Sequence, residues 1–307
     1  MRNNDIKHII IAGGRGFIGT ALTQQLLAQG HDITIISRSP DKVAQQWGQQ
    51  VAVMQDLTDW SDKPIDWLIN LAGAGIADKP WSKERRQILR ASRIDYTQNL
   101  MQQLDQKNQT PDVIIQASAI GFYGDTADNP VSERQQTKGD GFAATLCHDW
   151  ESTAREYKPV ASRLCLLRTG VVIGREGGML QRLHRPFSLG FGGKMGSGRQ
   201  WLSWISIDDL CQLIIFLATH PHCQGPYNAT APHPVTNQAF TQLLGKQLHR
   251  PTWLTIPSPL LKIGLGEMAS LLLGSQYILP KRAIEAGFTF ESATLSDCLA
   301  KQYQTHS

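Results

Sequence analysis

The sequence predicts an α/β fold, a doubly wound parallel sheet with a smaller, mixed C-terminal lobe. Three observations carry this. Short β-branched runs alternate with amphipathic stretches through the first half, the alternation of βαβ units. The runs at 8–11 and 33–36 are largely unbroken in their apolarity, which marks strands covered on both faces. The first strand also passes through a glycine-rich turn straight into a helix.

In chain order, strands are expected at residues 7–12, 32–37, 51–55, 67–71 and 113–117. Helices are expected at 18–28 and, as one long segment, at 82–106. Gly30 stands where a C-cap glycine ends the first helix. A helix at 140–157 leads to a further buried strand at 162–173. Regularity then declines through the glycine-rich segment 174–198, where the second lobe begins to interleave. Prolines are dense from 221 to 259, and an apolar helical stretch follows at 260–273.

Composition narrows the function classes. With 307 residues, 41% hydrophobic and 18% charged, the chain can bury a sizeable core, so intrinsic disorder is excluded. A formal net charge of +4, with no aromatic-interleaved basic patch, fits poorly with nucleic-acid binding. Residues 1–7 are polar and lead into only a short apolar run, unlike a secretory signal. The greasy stretch 260–279 is interrupted by Lys262, Glu267 and three glycines, so no membrane span is expected. Cys147, Cys165, Cys211, Cys223 and Cys298 are scattered and read as reduced thiols of a cytoplasmic protein, a monomer or homodimer. His184, His220, His222 and His233 lack metal-ligand spacing, so no metal is expected.

The turn after the first strand is Ala12-Gly13-Gly14-Arg15-Gly16-Phe17-Ile18-Gly19. Gly13 permits the tight turn, Gly16 lets backbone approach a pyrophosphate at the helix N-terminus, and Gly19 lets helix pack on sheet. The competing reading is a glycine turn without a nucleotide. An NAD site would carry an acid after the second strand, for the ribose 2′-hydroxyl. Here stand Ser37 and Arg38, which suit a 2′-phosphate, with Arg15 able to reach the same group. NADP(H) is therefore the expected cofactor, unless Arg38 is a solvated loop charge.

The GxxGxxG spacing resembles the extended short-chain dehydrogenase/reductases, a Rossmann-like superfamily. So does the order of Asn70-Leu71-Ala72-Gly73, Ser118 to Gly124, Leu167 to Gly174 and Trp204 to Leu210. Ala74 to Trp81, Gly192 to Trp201 and Leu265 to Ala269 are similar to the atypical subfamily named epimerase family protein. The resemblance implies an NADP-binding domain over 1–174, with sheet elements also from about 200–230. It implies an interleaved substrate lobe over 175–307, in which about 253–299 matches a family domain of unknown function. It also assigns Asp56, Leu57, Leu71, Ala72 and Gly73 to the adenine side of the cofactor, and groups Phe17, Ile18, Ser118 and Arg168 with the cofactor residues.

The superfamily's catalytic Ser and YxxxK are missing. Placing Tyr123-Gly124 on the family's Tyr-Gly puts Ala119 at the usual Ser, and Cys147 and Glu151 stand in place of the Tyr and Lys. A carboxylate one turn from Cys147 raises its thiol pKa, so Cys147 is expected to stay protonated. The candidate catalytic residues are Ser118, Tyr123, Cys147 and Glu151. In one version Glu151 or Tyr123 transfers the proton and Cys147 lines the nicotinamide pocket. In the other, Cys147 is packed filler, Tyr123 a wall and Glu151 a salt-bridge partner.

Lys79, Lys83, Arg85, Arg86, Arg90 and Arg93 load one segment with positive charge, which attracts an anionic substrate or cofactor phosphates, or is a solvated face. Arg93 is expected to point back to the sheet. Trp201, Trp204, Phe187 and Met195 line a substrate pocket or belong to the core, and the glycine-rich segment 190–198 is a candidate lid. The leading expectation is an NADP(H)-dependent oxidoreductase or epimerase acting on a small molecule. Its rival is a non-catalytic NADP(H)-binding protein whose C-terminal lobe contacts a partner. The stretch 260–273 separates them, buried in the first case, as expected, and partly exposed in the second.

Overall fold

A computed structural model describes residues 6–60, 63–135, 137–157 and 162–304. The expectation for the polar opening segment falls mainly on 1–5, outside the described residues. The strands are β1 (His8–Ala12), β2 (Asp32–Ile36), β3 (Ala52–Met54), β4 (Trp67–Asn70), β5 (Val113–Ala119), β6 (Leu164–Thr169), β7 (Val171–Gly174), β8 (Gly193–Met195), β9 (Trp201–Leu202), β10 (Trp204–Ser206), β11 (Gly225–Ala229), β12 (Val235–Thr236) and β13 (Leu254–Ile256). The helices are α1 (Phe17–Ala28), α2 (Pro40–Trp47), α3 (Lys83–Ala91), α4 (Ile94–Gln106), α5 (Phe142–Glu156), α6 (Gly178–Ser188), α7 (Ile207–Thr219), α8 (Asn237–Gln247), α9 (Ser258–Leu265), α10 (Ser270–Leu273), α11 (Lys281–Glu285) and α12 (Leu295–Gln304).

Seven strands form a parallel sheet in the order β11-β6-β5-β4-β1-β2-β3, with helices on both faces, a Rossmann-like fold. Ile9 and Ile11 of β1 pack with Leu22 and Leu26 of α1 and with Leu210, Leu213 and Leu217 of α7. Ile10 points the other way, into Leu100 and Leu104 of α4 and Ala154 of α5. Both faces of β1 are covered, which is why its apolar run is continuous. Each such side chain contributes about 1.5–3 kcal/mol on burial. The strand order reverses between β1 and β4, so the crevice at their carboxyl ends is the place where this fold takes ligands.

Three expectations are corrected. The segment 82–106 is two helices, because Ser92 and Arg93 leave the helix to serve the loop after β4: Ser92 Oγ accepts from Ala74 N (3.0 Å), and Arg93 Nη2 donates to Ala74 O (2.9 Å). The strand 162–173 breaks at Gly170, where a Cβ would stand 2.7 Å from Ser203 O. There β7 leaves the main sheet to pair with β10. The stretch 260–273 is neither one helix nor buried: it comprises most of α9, a 3-10 turn (Gly266–Ala269) and α10. Ile263 is 84% exposed and Leu260 61%, although Met268 and Ala269 are buried. No described helix is long and apolar enough to cross a membrane.

Candidate functional site

The loop between β1 and α1 is a cradle that side chains would fill. Gly13 has φ +84°, and a Cβ there would stand 2.8 Å from the Leu71 carbonyl carbon. A Cβ on Gly19 would stand 2.3 Å from Gly13 O, and Gly16 N donates to Gly13 O at 2.9 Å. Gly16 caps α1 with no side-chain hydrogen bond, and no acid occupies the first turn. The partial positive charge of the helix terminus is thus left for an anion. Phe17 turns its ring onto Gly174, Gly177 and Gly178, where a Cβ would approach it to between 2.5 and 3.3 Å, and Ile18 packs on the core. These two residues serve the cradle through backbone and packing. The geometry fits a dinucleotide pyrophosphate.

At the β2–β3 end, Arg15 and Arg38 are exposed and Ser37 Oγ accepts from Ser39 N at 3.1 Å. Asp56 is exposed, and hydrogen bonds from Thr58 hold its carboxyl below the usual range. Leu57 is buried, its N–H on Gln103 Oε1 at 2.9 Å. Sequence reasoning missed Tyr96 of α4, which lies within electrostatic reach of both Arg38 and Asp56 and whose phenol is pushed by burial up to about 12. No local motif marks it, since it faces this corner only once α4 is docked.

On the other side of the crevice, β4 ends in Asn70, which is buried: its Nδ2 donates to Thr97 Oγ1 and Gln116 Oε1, and its Oδ1 accepts from Ala72 N at 3.2 Å. That fixes the path of Leu71, Ala72 and Gly73 beside the glycine loop, with Leu71 N on Ala12 O at 2.9 Å.

Next to it lies a buried polar network. Glu151 and Arg168 are 0% and 2% exposed. Arg168 Nε and Nη2 donate to the two carboxylate oxygens at 2.7 and 2.8 Å, Ser118 Oγ donates at 2.8 Å, and Arg155 Nη2 at 2.9 Å. Glu151 thus accepts four hydrogen bonds. Arg168 Nη1 also donates to the Tyr123 hydroxyl (2.9 Å), which donates to Asn228 Oδ1 (2.8 Å). Burial pushes the Tyr123 phenol up, against the pull of Arg168. Arg168 lies 3.5 Å from the Phe122 ring centroid. Asn228 N in turn donates to Glu133, a buried carboxyl raised by desolvation.

The structure therefore brings Ser118, Tyr123, Glu151 and Arg168 together, but as mutually satisfied groups. Of the two versions, proton transfer by Glu151 or Tyr123 and a salt-bridge partner with a wall, these contacts are those of the second. Cys147 packs one turn away, against Gly121, where a Cβ would stand 3.6 Å from Sγ. Its thiol is pushed up to about 11, by burial first and Glu151 second.

The remaining aromatic candidates separate. Trp204 is core, its Nε1 on His233 O. Trp201 stacks on Tyr277 at 4.3 Å and donates to Asp128. The candidate lid 190–198 contains β8, paired in parallel with β13, so this segment is tied down by a ladder. Among the described residues no group of three or more His, Cys, Asp or Glu could hold a metal ion.

The NAD dependent epimerase/dehydratase family matches residues 9–230, and a domain of unknown function, DUF1731, matches 256–302. Among curated proteins, "Epimerase family protein Mb2239" of Mycobacterium bovis is 39% identical over 297 residues, covering 95% of this chain and 96% of its own. "Epimerase family protein YfhF" of Bacillus subtilis is 35% identical, covering 96% and 97%. Among solved structures, human epimerase family protein SDR39U1 (isoform 2), crystallised with NADPH, has a TM-score of 0.87 at 30% identity, covering 97% of this chain and 99% of that one.

Proposed function

Starting from the chain's membership of the NAD dependent epimerase/dehydratase family, as an atypical short-chain dehydrogenase/reductase, we propose that it binds NADP(H) and acts as an oxidoreductase on a small molecule. The observation that carries this is the uncapped glycine cradle at the strand-order reversal, with Arg15 and Arg38 exposed beside it and no carboxylate at the end of β2. A carboxylate there would repel a 2′-phosphate, whereas a guanidinium bonds it. The NADPH in the human relative's structure supports the same choice.

Bound NADP(H) supplies hydride transfer at the nicotinamide. The chain's own residues do the rest. The N-terminus of α1 would hold the pyrophosphate, Arg38 and Arg15 would hold the 2′-phosphate, and Asn70 sets the path of Leu71 to Gly73 beside the glycine loop. Cys147, protonated, would line the nicotinamide pocket. The Ser118–Glu151–Arg168–Tyr123 network fixes α5 against β5 and β6. The test is titration with NADPH and NADH, followed by loss of nicotinamide absorbance with a panel of carbonyl compounds. Tight NADPH binding with turnover of one panel member is expected. Binding without turnover across a broad panel would remove the catalytic part.

That outcome would favour a second reading, a non-catalytic NADP(H)-binding protein that contacts a partner. Its specific support is the exposure of Trp253, Leu260 and Ile263 together with the commitment of Tyr123 and Glu151 to a closed network.

A further inference from the structure

The loop that follows β4 turns four consecutive carbonyls toward side-chain donors. Ala74 O accepts from Arg93 Nη2 (2.9 Å), Gly75 O from Arg85 Nη2 (2.5 Å), Ile76 O from Trp81 Nε1 (2.9 Å) and Ala77 O from Arg182 Nη1 (2.7 Å). Three of the four donors are guanidiniums, and they arrive from α3, the α3–α4 junction and α6. Neutral donors would secure a loop equally well. The charge is therefore what needs explaining.

That charge is poorly compensated. Asp78 pairs with Arg182 at 2.5 Å and reaches Arg85 only at 3.9 Å. Arg93 forms no ion pair among the described residues, and its neighbours are the carbonyls of Leu89 and Ala74, Ser92 Oγ and the Trp150 ring. Among the described residues Arg85 Nε is buried and has no hydrogen-bond partner. Two half-buried cations on adjacent carbonyls repel, and desolvation already lowers the Arg93 pKa, with Arg85 adding to the fall. Such a pair gains from the negative charge of an oxyanion.

The place matters as much as the charge. A Cβ on Gly73 would stand 3.2 Å from Arg93 Cζ, so the guanidinium lies directly against the exposed backbone at the carboxyl end of β4. That end borders the crevice on the side away from Arg38, and Cys147 lies within electrostatic reach of Arg93. We infer that Arg93 and Arg85 form a subsite for an oxyanion of the small-molecule substrate, a carboxylate or a phosphate, at the carboxyl end of β4. This rests on the NADP(H) reading above and names the substrate class for that site.

The experiment is a titration of the full-length protein with sodium phosphate and, separately, sodium oxalate, against sodium chloride at equal ionic strength. Tryptophan fluorescence is followed with and without saturating NADPH, on wild type, Arg85→Gln, Arg93→Met and Arg93→Lys. Wild type is expected to show saturable binding of at least one oxyanion but not chloride, and the stronger of the two identifies the group. Arg85→Gln and Arg93→Met are expected to weaken it about ten- to hundredfold, with Arg93→Lys between them and wild type. Since Arg93 also holds the loop, Arg85→Gln decides the question if Arg93→Met does not fold. Equal responses to chloride, or oxyanion binding that survives Arg85→Gln, would overturn the inference. So would an equal loss of NADPH affinity in the variants, which would assign the arginines to the cofactor. If NADPH itself fails to bind, the preceding reading falls, while the titration without nucleotide still decides this one.

Discussion

Arg168→Met removes the buried cation that faces Glu151 among the described residues. In the native protein Glu151 accepts two bonds from Arg168, one from Ser118 and one from Arg155, with the carboxylate fully buried. The substitution keeps the side-chain volume but leaves the carboxylate with Ser118 and the half-exposed Arg155, and leaves the Tyr123 hydroxyl without its donor. Breaking a buried pair in this way costs about 3–5 kcal/mol, out of a total stability of roughly 5–15 kcal/mol. At roughly 2–4 °C per kcal/mol, Tm falls by about 6–20 °C. The assay is urea unfolding followed by far-UV circular dichroism. Adding Glu151→Leu to the variant is expected to recover much of the loss, because an apolar pair replaces an ion pair at little cost. A loss below about 1 kcal/mol for Arg168→Met would refute the reasoning, as would Glu151→Leu alone being harmless.

Further outcomes follow from the same geometry. Gly19→Ala forces a Cβ to within 2.3 Å of Gly13 O, so the loop must shift and NADPH affinity should fall about ten- to hundredfold; binding equal to wild type by fluorescence titration would contradict the cradle. Cys147, held at about 11 by burial and Glu151, should resist iodoacetamide at neutral pH in the native state. Because its folded pKa is raised above the unfolded value of about 8.5, its contribution to stability is complete below that pH and is lost as pH rises toward about 11. The stability advantage of wild type over Cys147→Ala should therefore shrink over that window, and urea midpoints that keep a constant difference would count against it. Ile263→Ser, at a position 84% exposed, should change stability by no more than about 0.5 kcal/mol; a multi-kcal/mol loss would show that this face is covered in solution.

The parts of the fold that were legible in the sequence are those encoded locally. The β1–loop–α1 unit could be read because a buried strand, the glycine spacing and a helix stand side by side. The breaks were not legible. Gly170 gives one cue, a glycine inside an apolar strand, but neither glycine nor proline marks Ser92–Arg93, where tertiary hydrogen bonds to Ala74 end the helix. In the site, the replacement of the family lysine by Glu151 was plain, and its compensation was not, because Arg168 reaches it from a neighbouring strand. A signal existed: a lone arginine within the apolar run Leu164–Thr169 must be buried with a partner. The exposure of 260–273 was missed because apolar composition gives no sign of whether anything covers it.

The most direct test of the central claim is a fluorescence titration of the protein with NADPH and NADH, for wild type and Arg38→Ala. The account predicts that wild type binds NADPH more tightly than NADH by about tenfold or more, and that Arg38→Ala abolishes the difference while leaving NADH affinity unchanged. Equal affinity for the two nucleotides in wild type, or no binding of either, would contradict it.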